Sequence, residues 1–304
     1  MVSDPGTPTL DQLRVFLTVV ELGSFAGAAR KLGRATSVIS YAIANLEAQL
    51  GVELLDRTST RKPQLTEAGR AVLAEARGIS TGIDALRAKV KGLMQGLEAE
   101  IHVVVDVLLP AARIVDALKA FQEEFPTVAL TLHMEALGAV SQLVLDRVAA
   151  IGISGPLVGF ADIPGIARLG VGSVMLVPVA APDHPLARMT MPDWGEAAHY
   201  TQLVLTDRSP LTRGHDFGVV SPKTWRLADL GAKHILLKEG VGWGNMPIPM
   251  VAEDIAAGRL VRLDLPDMTG GAYSFDAIYR ADSPPGPAGN WLISRFRQQA
   301  EAKD

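Results

Sequence analysis

A chain of 304 residues, 48% hydrophobic and 20% charged, has room for two or three domains and the make-up of an ordinary globular protein. It contains no cysteine, which excludes a disulfide framework, a thiolate metal site and a thiol nucleophile, and no run of about 18 apolar residues that could span a membrane. The formal net charge is −4, yet residues 1–66 carry seven Lys/Arg against six Asp/Glu, with basic clusters at 30–34 and 57–62 that suit phosphate contacts better than a uniformly acidic chain would. The N-terminus, Met1-Val2-Ser3-Asp4-Pro5-Gly6, lacks a basic segment followed by an apolar one, so a cytoplasmic protein is expected.

Residues 1–9 read as a loose lead. Residues 11–22 form an amphipathic helix with Leu13, Phe16, Leu17 and Val20 on one face, ended by Gly23. Ser24 suits an N-cap for a second helix in which Phe25, Ala28, Ala29 and Leu32 recur at i, i+3, i+4, i+7. Gly33-Arg34-Ala35 is a break, and a third helix carries Ile39, Ile43, Leu46 and Leu50 as its buried stripe. At about 100° per residue, Ser37, Ser40, Tyr41, Ala44 and Ala48 fall on the opposite face, which is expected to hold no large aliphatic side chain. A helix that enters a major groove needs one anchored face and one face of short hydrogen-bonding groups. The same spacing also fits a helical hairpin with a solvated outer face.

Gly51 is placed as a C-cap, residues 52–55 as a short strand, 56–63 as a polar basic turn and 64–66 as its return. In such a wing, Arg57, Arg61 and Lys62 would bind phosphates or enter a minor groove; otherwise they form a solvated hairpin tip. From Thr66-Glu67 a long helix carries Val72, Ala76, Ile79, Ile83, Leu86, Val90, Leu93 and Leu97 at alternating steps of four and three, a heptad seam. So narrow a stripe has little to bury against except a copy of itself, which predicts a homodimer; packing on the chain's own core is the alternative. Gly78, Gly82, Gly92 and Gly96 mark close approach or a bend, since each costs about 1 kcal/mol against Ala.

Beyond Glu100 the pattern alternates. Strands are expected at 101–105, 128–134, 149–153, 174–180, 202–205, 260–263 and 274–279. Helices are expected at 111–125 (opened by Pro110), 139–147, 227–238, 250–257 and 288–302. This predicts an α/β body with parallel-rich sheets.

In combination, Leu13…Phe16, Gly23-Ser24-Phe25, Ala28-Ala29…Leu32, Ser40, Leu46-Glu47…Leu50-Gly51, Leu54-Leu55-Asp56-Arg57 and Leu65-Thr66-Glu67-Ala68-Gly69 resemble the DNA-binding region of LysR-type transcriptional regulators. Leu109-Pro110, the stretch Ala181-Pro182-Asp183-His184-Pro185-Leu186 and the run from Gly240 to Pro247 look like landmarks of that family's effector domain. The resemblance implies a winged helix-turn-helix (1–66), a linker and dimerisation helix (67–98), and an effector-binding domain (99–304) of two Rossmann-like lobes similar to periplasmic binding proteins. The lobes would divide as 99–173 with 278–304, and 174–277. It implies DNA contacts from Arg30, Arg34, Thr36, Ser37, Ser40, Tyr41, Asn45, Arg57, Arg61 and Lys62, and dimerisation through Ile79, Ile83, Leu86, Val90 and Leu93. Thr36 and Tyr41 stand where the family often has Gln and Arg, so the docking mode carries over but the operator sequence does not. Leu55 replaces the usual Phe.

By position, the effector cleft would be lined by Asp106 and Val107, by Glu135, and from the facing lobe by Thr206, Asp207, Arg208 and Trp243, with Arg213 as an anion partner. The competing roles are a helix N-cap for Asp106, a surface ion pair for Asp207 and Arg208, and plain core for Trp243. No catalytic constellation can be assembled. Gly152-Ile153-Ser154-Gly155-Pro156 ends in Pro156 where a nucleophile elbow needs glycine, no phosphate-binding glycine loop is present, and the six histidines lack metal spacing. No cofactor, metal or catalytic residue is therefore expected. The expected partners are double-stranded DNA with an imperfect inverted repeat, a small-molecule effector, a second copy in a dimer or tetramer, and RNA polymerase, with no membrane. The alternative reading is a cytoplasmic small-molecule-binding protein of the periplasmic-binding type without regulatory DNA binding.

Overall fold

The computed structural model describes residues 6–56, 63–94, 96–156 and 163–301. The chain separates into two compact units, Met1–Lys91 and Gly92–Asp304. The first unit opens with α1 (Leu10–Leu22), α2 (Phe25–Leu32) and α3 (Thr36–Leu50), followed by a two-residue hairpin of β1 (Leu55–Asp56) and β2 (Gln64–Leu65), and then α4 (Glu67–Met94). Each start has a physical cause. Thr9 and Gln12 form a reciprocal capping box on α1, and Ser24 accepts the Gly27 N–H at 3.1 Å to open α2.

The core of this unit is Phe16, Val19, Ala28, Ile39, Ile43, Leu46 and Leu54 with their neighbours. Three expectations need correcting. The buried face of α1 is Gln12, Val15, Phe16, Thr18 and Val19, rotated from the predicted one, with Leu13, Leu17 and Val20 only packed at its margin. Leu50 is exposed rather than part of the α3 stripe, and the outward face of α3 does hold an aliphatic side chain, Val38. The predicted seam of α4 divides as well. Val72 and Ala76 belong to the core of the first unit, and Leu97 lies past the end of α4 and packs on the core of the second unit. Between them, Ile79, Leu86, Val90 and Leu93 are exposed and Ile83 is half-buried.

The second unit contains β3 (Glu100–Asp106), α5 (Ala111–Glu124), β4 (Ala129–Glu135), α6 (Gly138–Leu145), β5 (Ile151–Ser154) and β6 (Ile166–Ala180). It continues with β7 (Gln202–Leu205), β8 (Thr224–Leu227), α7 (Leu230–Lys238), β9 (Gly244–Pro247), α8 (Ile248–Ala256), β10 (Val261–Arg262), β11 (Gly271–Arg280) and α9 (Pro287–Glu301). One seven-stranded sheet runs β10-β6-β11-β5-β3-β4 with β9 also on β6, and β7–β8 form a separate parallel pair.

The large sheet is less parallel than predicted. Only β4, β3 and β5 run parallel, whereas β11 pairs antiparallel with β5 and β6, and β6 antiparallel with β9 and β10. The two long strands explain this. The end of β6 nearest Ile166 joins the β3–β5 side of the sheet through β11, its other end carries β9 and β10, and β11 follows it antiparallel past a bulge at Ser274/Asp276. The β6–β11 ladder therefore joins the two ends of the sheet. Buried Arg113 on α5 ties the side of α9 to this ladder, donating to Phe296 O at 2.8 Å and Val171 O at 2.6 Å. β8 and β9 were not among the expected strands, and residue 227 closes β8 instead of opening α7.

Candidate functional site

In the first unit, Ile39, Ile43 and Leu46 fasten α3 to the core, which turns Thr36, Ser37, Val38 and Tyr41 outward; Tyr41 is 69% exposed. Ser40 and Asn45 are half-buried beside them, and Arg30 is exposed on α2. The N-cap of α3 is Ala35, which has no side chain to satisfy the first-turn N–H groups, and that turn carries no acidic residue. The positive end of the helix dipole is thus left available to an anion. Arg34 is exposed just before α3. Its guanidinium is held in a two-point pair with Asp11, at 2.6 and 2.8 Å, and this pairing pulls the Asp11 carboxyl below its ordinary range. Arg57, Arg61 and Lys62 lie outside the described residues.

Two contacts aim the hairpin. The Glu47 carboxylate on α3 accepts the N–H groups of Leu54 and Leu55 at 2.9 and 3.2 Å, fixing the start of β1 against the helix. Thr66 donates its hydroxyl to Glu53 O at 2.6 Å and accepts the Gly69 N–H at 2.9 Å, joining the hairpin's base to the first turn of α4.

In the second unit the C-terminal ends of β3, β4 and β5 converge on Asp106, which is fully buried. Its carboxylate accepts from Leu108 N–H and from the Tyr273 hydroxyl, each at 2.9 Å, and from the backbone N–H groups of Leu137 and Gly155. Burial pushes the Asp106 carboxyl up to about 6, against the pull of those donors. Burial and the adjacent carboxylate push the Tyr273 phenol well above its ordinary value. Asp106 therefore knots four segments together and does not present itself to a ligand.

Above this knot is a cavity of about 200 Å³ bordered by Leu108, Leu137, Phe217, Lys233, Asn245 and Tyr273, among others. A more open pocket of about 460 Å³ is bordered by Thr206, Asp207, Arg208 and Arg213, and another of about 360 Å³ by Glu135, Thr206, Asp207 and Arg208. Asp207 is not a free ligand contact. Its carboxylate accepts the Ala139 N–H at 2.8 Å and the Thr212 hydroxyl, capping α6 from the loop after β7. A Cβ on Gly138 would lie 2.8 Å from Thr212 Cγ2, so glycine there permits the close seal.

The remaining expectations fall out as follows. Trp243 is fully buried in a satellite core and its indole N–H donates to Ala197 O at 3.2 Å, so it cannot cover a ligand. Its flanking glycines allow this, because a Cβ at Gly242 or Gly244 would meet Thr201 O or Leu203 O within 2.6 Å. Val107 is half-buried against the main core.

Residues 94–301 match the LysR substrate binding domain, and residues 10–70 match the bacterial regulatory helix-turn-helix proteins of the lysR family. The chain belongs to the LysR-type transcriptional regulators. The HTH-type transcriptional activator AllS of Klebsiella pneumoniae is 31% identical over 258 residues, 83% of this chain and 93% of that one. The probable HTH-type transcriptional regulator YhaJ of Escherichia coli is 30% identical over 293 residues, 94% of each chain. A Corynebacterium glutamicum OxyR C206 mutant shares the fold at 24% identity, with a TM-score of 0.53 over 98% of this chain and 95% of that one.

As a LysR-type regulator the protein is a DNA-binding regulator and not an enzyme. Among the described residues no helix is long and apolar enough to cross a membrane. Sequence reasoning missed Val38 on the outward face of α3, Glu47 as the brace of the hairpin, and Lys233, Asn245 and Tyr273 around the cavity. A signal for Glu47 was present in the Leu46-Glu47 motif. Nothing local marks Lys233, which reads as one more basic residue on an amphipathic helix.

Proposed function

We propose that this regulator binds an imperfect inverted repeat as a dimer, with one α3 from each copy in successive major grooves. Thr36, Ser37 and Tyr41 face base edges, with Ser40 and Asn45 at the margin of the contact and Val38 against thymine methyl groups. Arg30 and the uncapped turn of α3 hold phosphates, and Arg57, Arg61 and Lys62 reach the flanking backbone. Ile79, Ile83, Leu86, Val90 and Leu93 pair with their copies along the seam, and two dimers associate into a tetramer. The working division is 1–66, 67–98 and 99–304, with lobes of 99–173 plus 278–304, and of 174–277. A small molecule in the effector domain binds one arrangement of the lobes more tightly than the other and so shifts the bound state of the DNA. RNA polymerase is the downstream partner, and the site of action is the cytoplasm.

One observation carries this reading: α3 is anchored by three buried aliphatic residues and shows a hydrogen-bonding face to solvent. Footprinting on the DNA upstream of its own gene and of the divergent neighbouring gene, with and without metabolites, tests it. Ser37→Glu places a carboxylate against the duplex and is expected to abolish the footprint while the dimer persists. An unchanged footprint would reject α3 as the reading helix.

A further inference from the structure

The cavity beside the Asp106 knot contains an unbalanced charge. Lys233 on α7 is only 4% exposed, and its stem passes over Gly244, where a Cβ would come within 3.2 Å of Lys233 Cε. Its ammonium donates to Asn245 O at 2.8 Å and has no ion pair among the described residues. An ammonium carries three protons, so two have no partner among the described residues. Asn245 adds a second unmet group: its Nδ2 donates to the Met268 sulfur at 3.1 Å, while its Oδ1 is buried with no partner. The other polar side chains on the wall are already committed, the Tyr273 hydroxyl to Asp106 and the Gln202 amide to Gly218 O and to the N–H groups of Val220 and Ser221. The rest of the lining is largely apolar, from Leu108, Leu137, Leu176, Leu203, Leu205 and Phe217. A buried cation without a counter-ion is costly, and a ligand that supplies one offsets that cost.

We propose that this cavity receives a small organic monoanion, a carboxylate with a compact apolar body and one hydroxyl, its carboxylate on Lys233 Nζ and its hydroxyl donating to Asn245 Oδ1. The class follows from the site. There is one cation for one negative charge and one free acceptor for one donor. The volume of about 200 Å³ limits the body to a compact one. The inference rests on the reading of residues 92–304 as the effector-binding part.

The test is calorimetric titration of the full-length protein with 2-hydroxyisovalerate, isovalerate and 2-hydroxyisovaleramide. The hydroxy acid is expected to bind, the acid without the hydroxyl to bind several-fold more weakly, and the neutral amide at least tenfold more weakly. Lys233→Met is expected to erase the preference for acid over amide. Asn245→Asp, which adds a carboxylate to the cavity wall, is expected to do the same, with the thermal transition retained as proof of folding. Amide binding as tight as acid binding, or full acid affinity in Lys233→Met, overturns the charge pairing while leaving ligand binding by this unit intact. Absence of binding by all three probes also overturns the proposal. The effector reading is then judged separately, by whether a low-molecular-weight extract alters the DNA footprint.

Discussion

Two glycines on the same helix predict opposite outcomes for the same substitution. At Gly69, in the first turn of α4, an added Cβ would sit 2.1 Å from Leu54 O, 3.0 Å from Leu54 C and 3.1 Å from Leu65 Cδ2. The first of these is backbone, about 1 Å inside contact distance, and Glu47 and Thr66 pin that backbone from both sides. Gly69→Ala therefore gains about 1 kcal/mol of helix propensity but incurs overpacking at the upper end of the usual range, about 3 kcal/mol. The net loss is about 2 kcal/mol. For a unit of about 90 residues this lowers the melting temperature by about 8–16 °C. At Gly82 a Cβ meets nothing within 4 Å, and Gly82→Ala keeps the propensity gain of about 1 kcal/mol. The assay is differential scanning calorimetry of the full chain, following the transition of the first unit, with operator affinity measured in parallel. If Gly69→Ala proved as stabilising as Gly82→Ala, the Leu54 carbonyl would not be what fixes α4 to the hairpin. Loss of dimer in Gly82→Ala would show that the backbone of a second copy packs there.

Three further outcomes are expected. Leu86→Glu places a charge in the middle of the exposed seam and should yield monomers in sedimentation velocity, with operator affinity lowered at least tenfold; a persistent dimer would move the interface elsewhere. Asp106 is held near 6 against an ordinary 3.8, so the folded chain binds more protons than the unfolded chain between those values. Its contribution to stability is full below about pH 4 and is lost as pH rises through 6, by about 3 kcal/mol, and Asp106→Asn should lack that slope, so the wild-type-minus-variant difference should display it. Burial depresses the Lys233 ammonium to about 8 from 10.5, which destabilises the fold fully below pH 8 and fades as pH approaches 10.5. Lys233→Met should therefore raise stability by about 1–3 kcal/mol at pH 7 in urea unfolding, with the gain vanishing near pH 10.

The helix-turn-helix was legible because its signals are local: a serine cap, a 3.6-residue period and glycine stops. Where local signals misled, a polar residue had been drawn inward. Gln12 is buried because it closes the capping box with Thr9, and Thr18 because its hydroxyl returns to Arg14 O at 2.8 Å, and together they rotate the face of α1. β9 was missed because Gly242-Trp243-Gly244-Asn245 has the composition of a turn. It becomes a strand by pairing antiparallel with β6, with the β7 backbone close alongside at Trp243, a long-range fact. The site was less legible for the same reason. Asp106, Asp207 and Trp243 were picked out for their chemistry, yet each is used to hold segments distant in sequence. Lys233 and Asn245, twelve residues apart, meet only because α7 folds back over β9.

The ladder shared by β6 and β11 limits how the effector domain can move. A pair of strands hydrogen-bonded along most of its length resists opening like a hinge but yields to bending where its register slips, at the Ser274/Asp276 bulge. Bending at that slip, like a leaf spring, is the motion that this pairing opposes least.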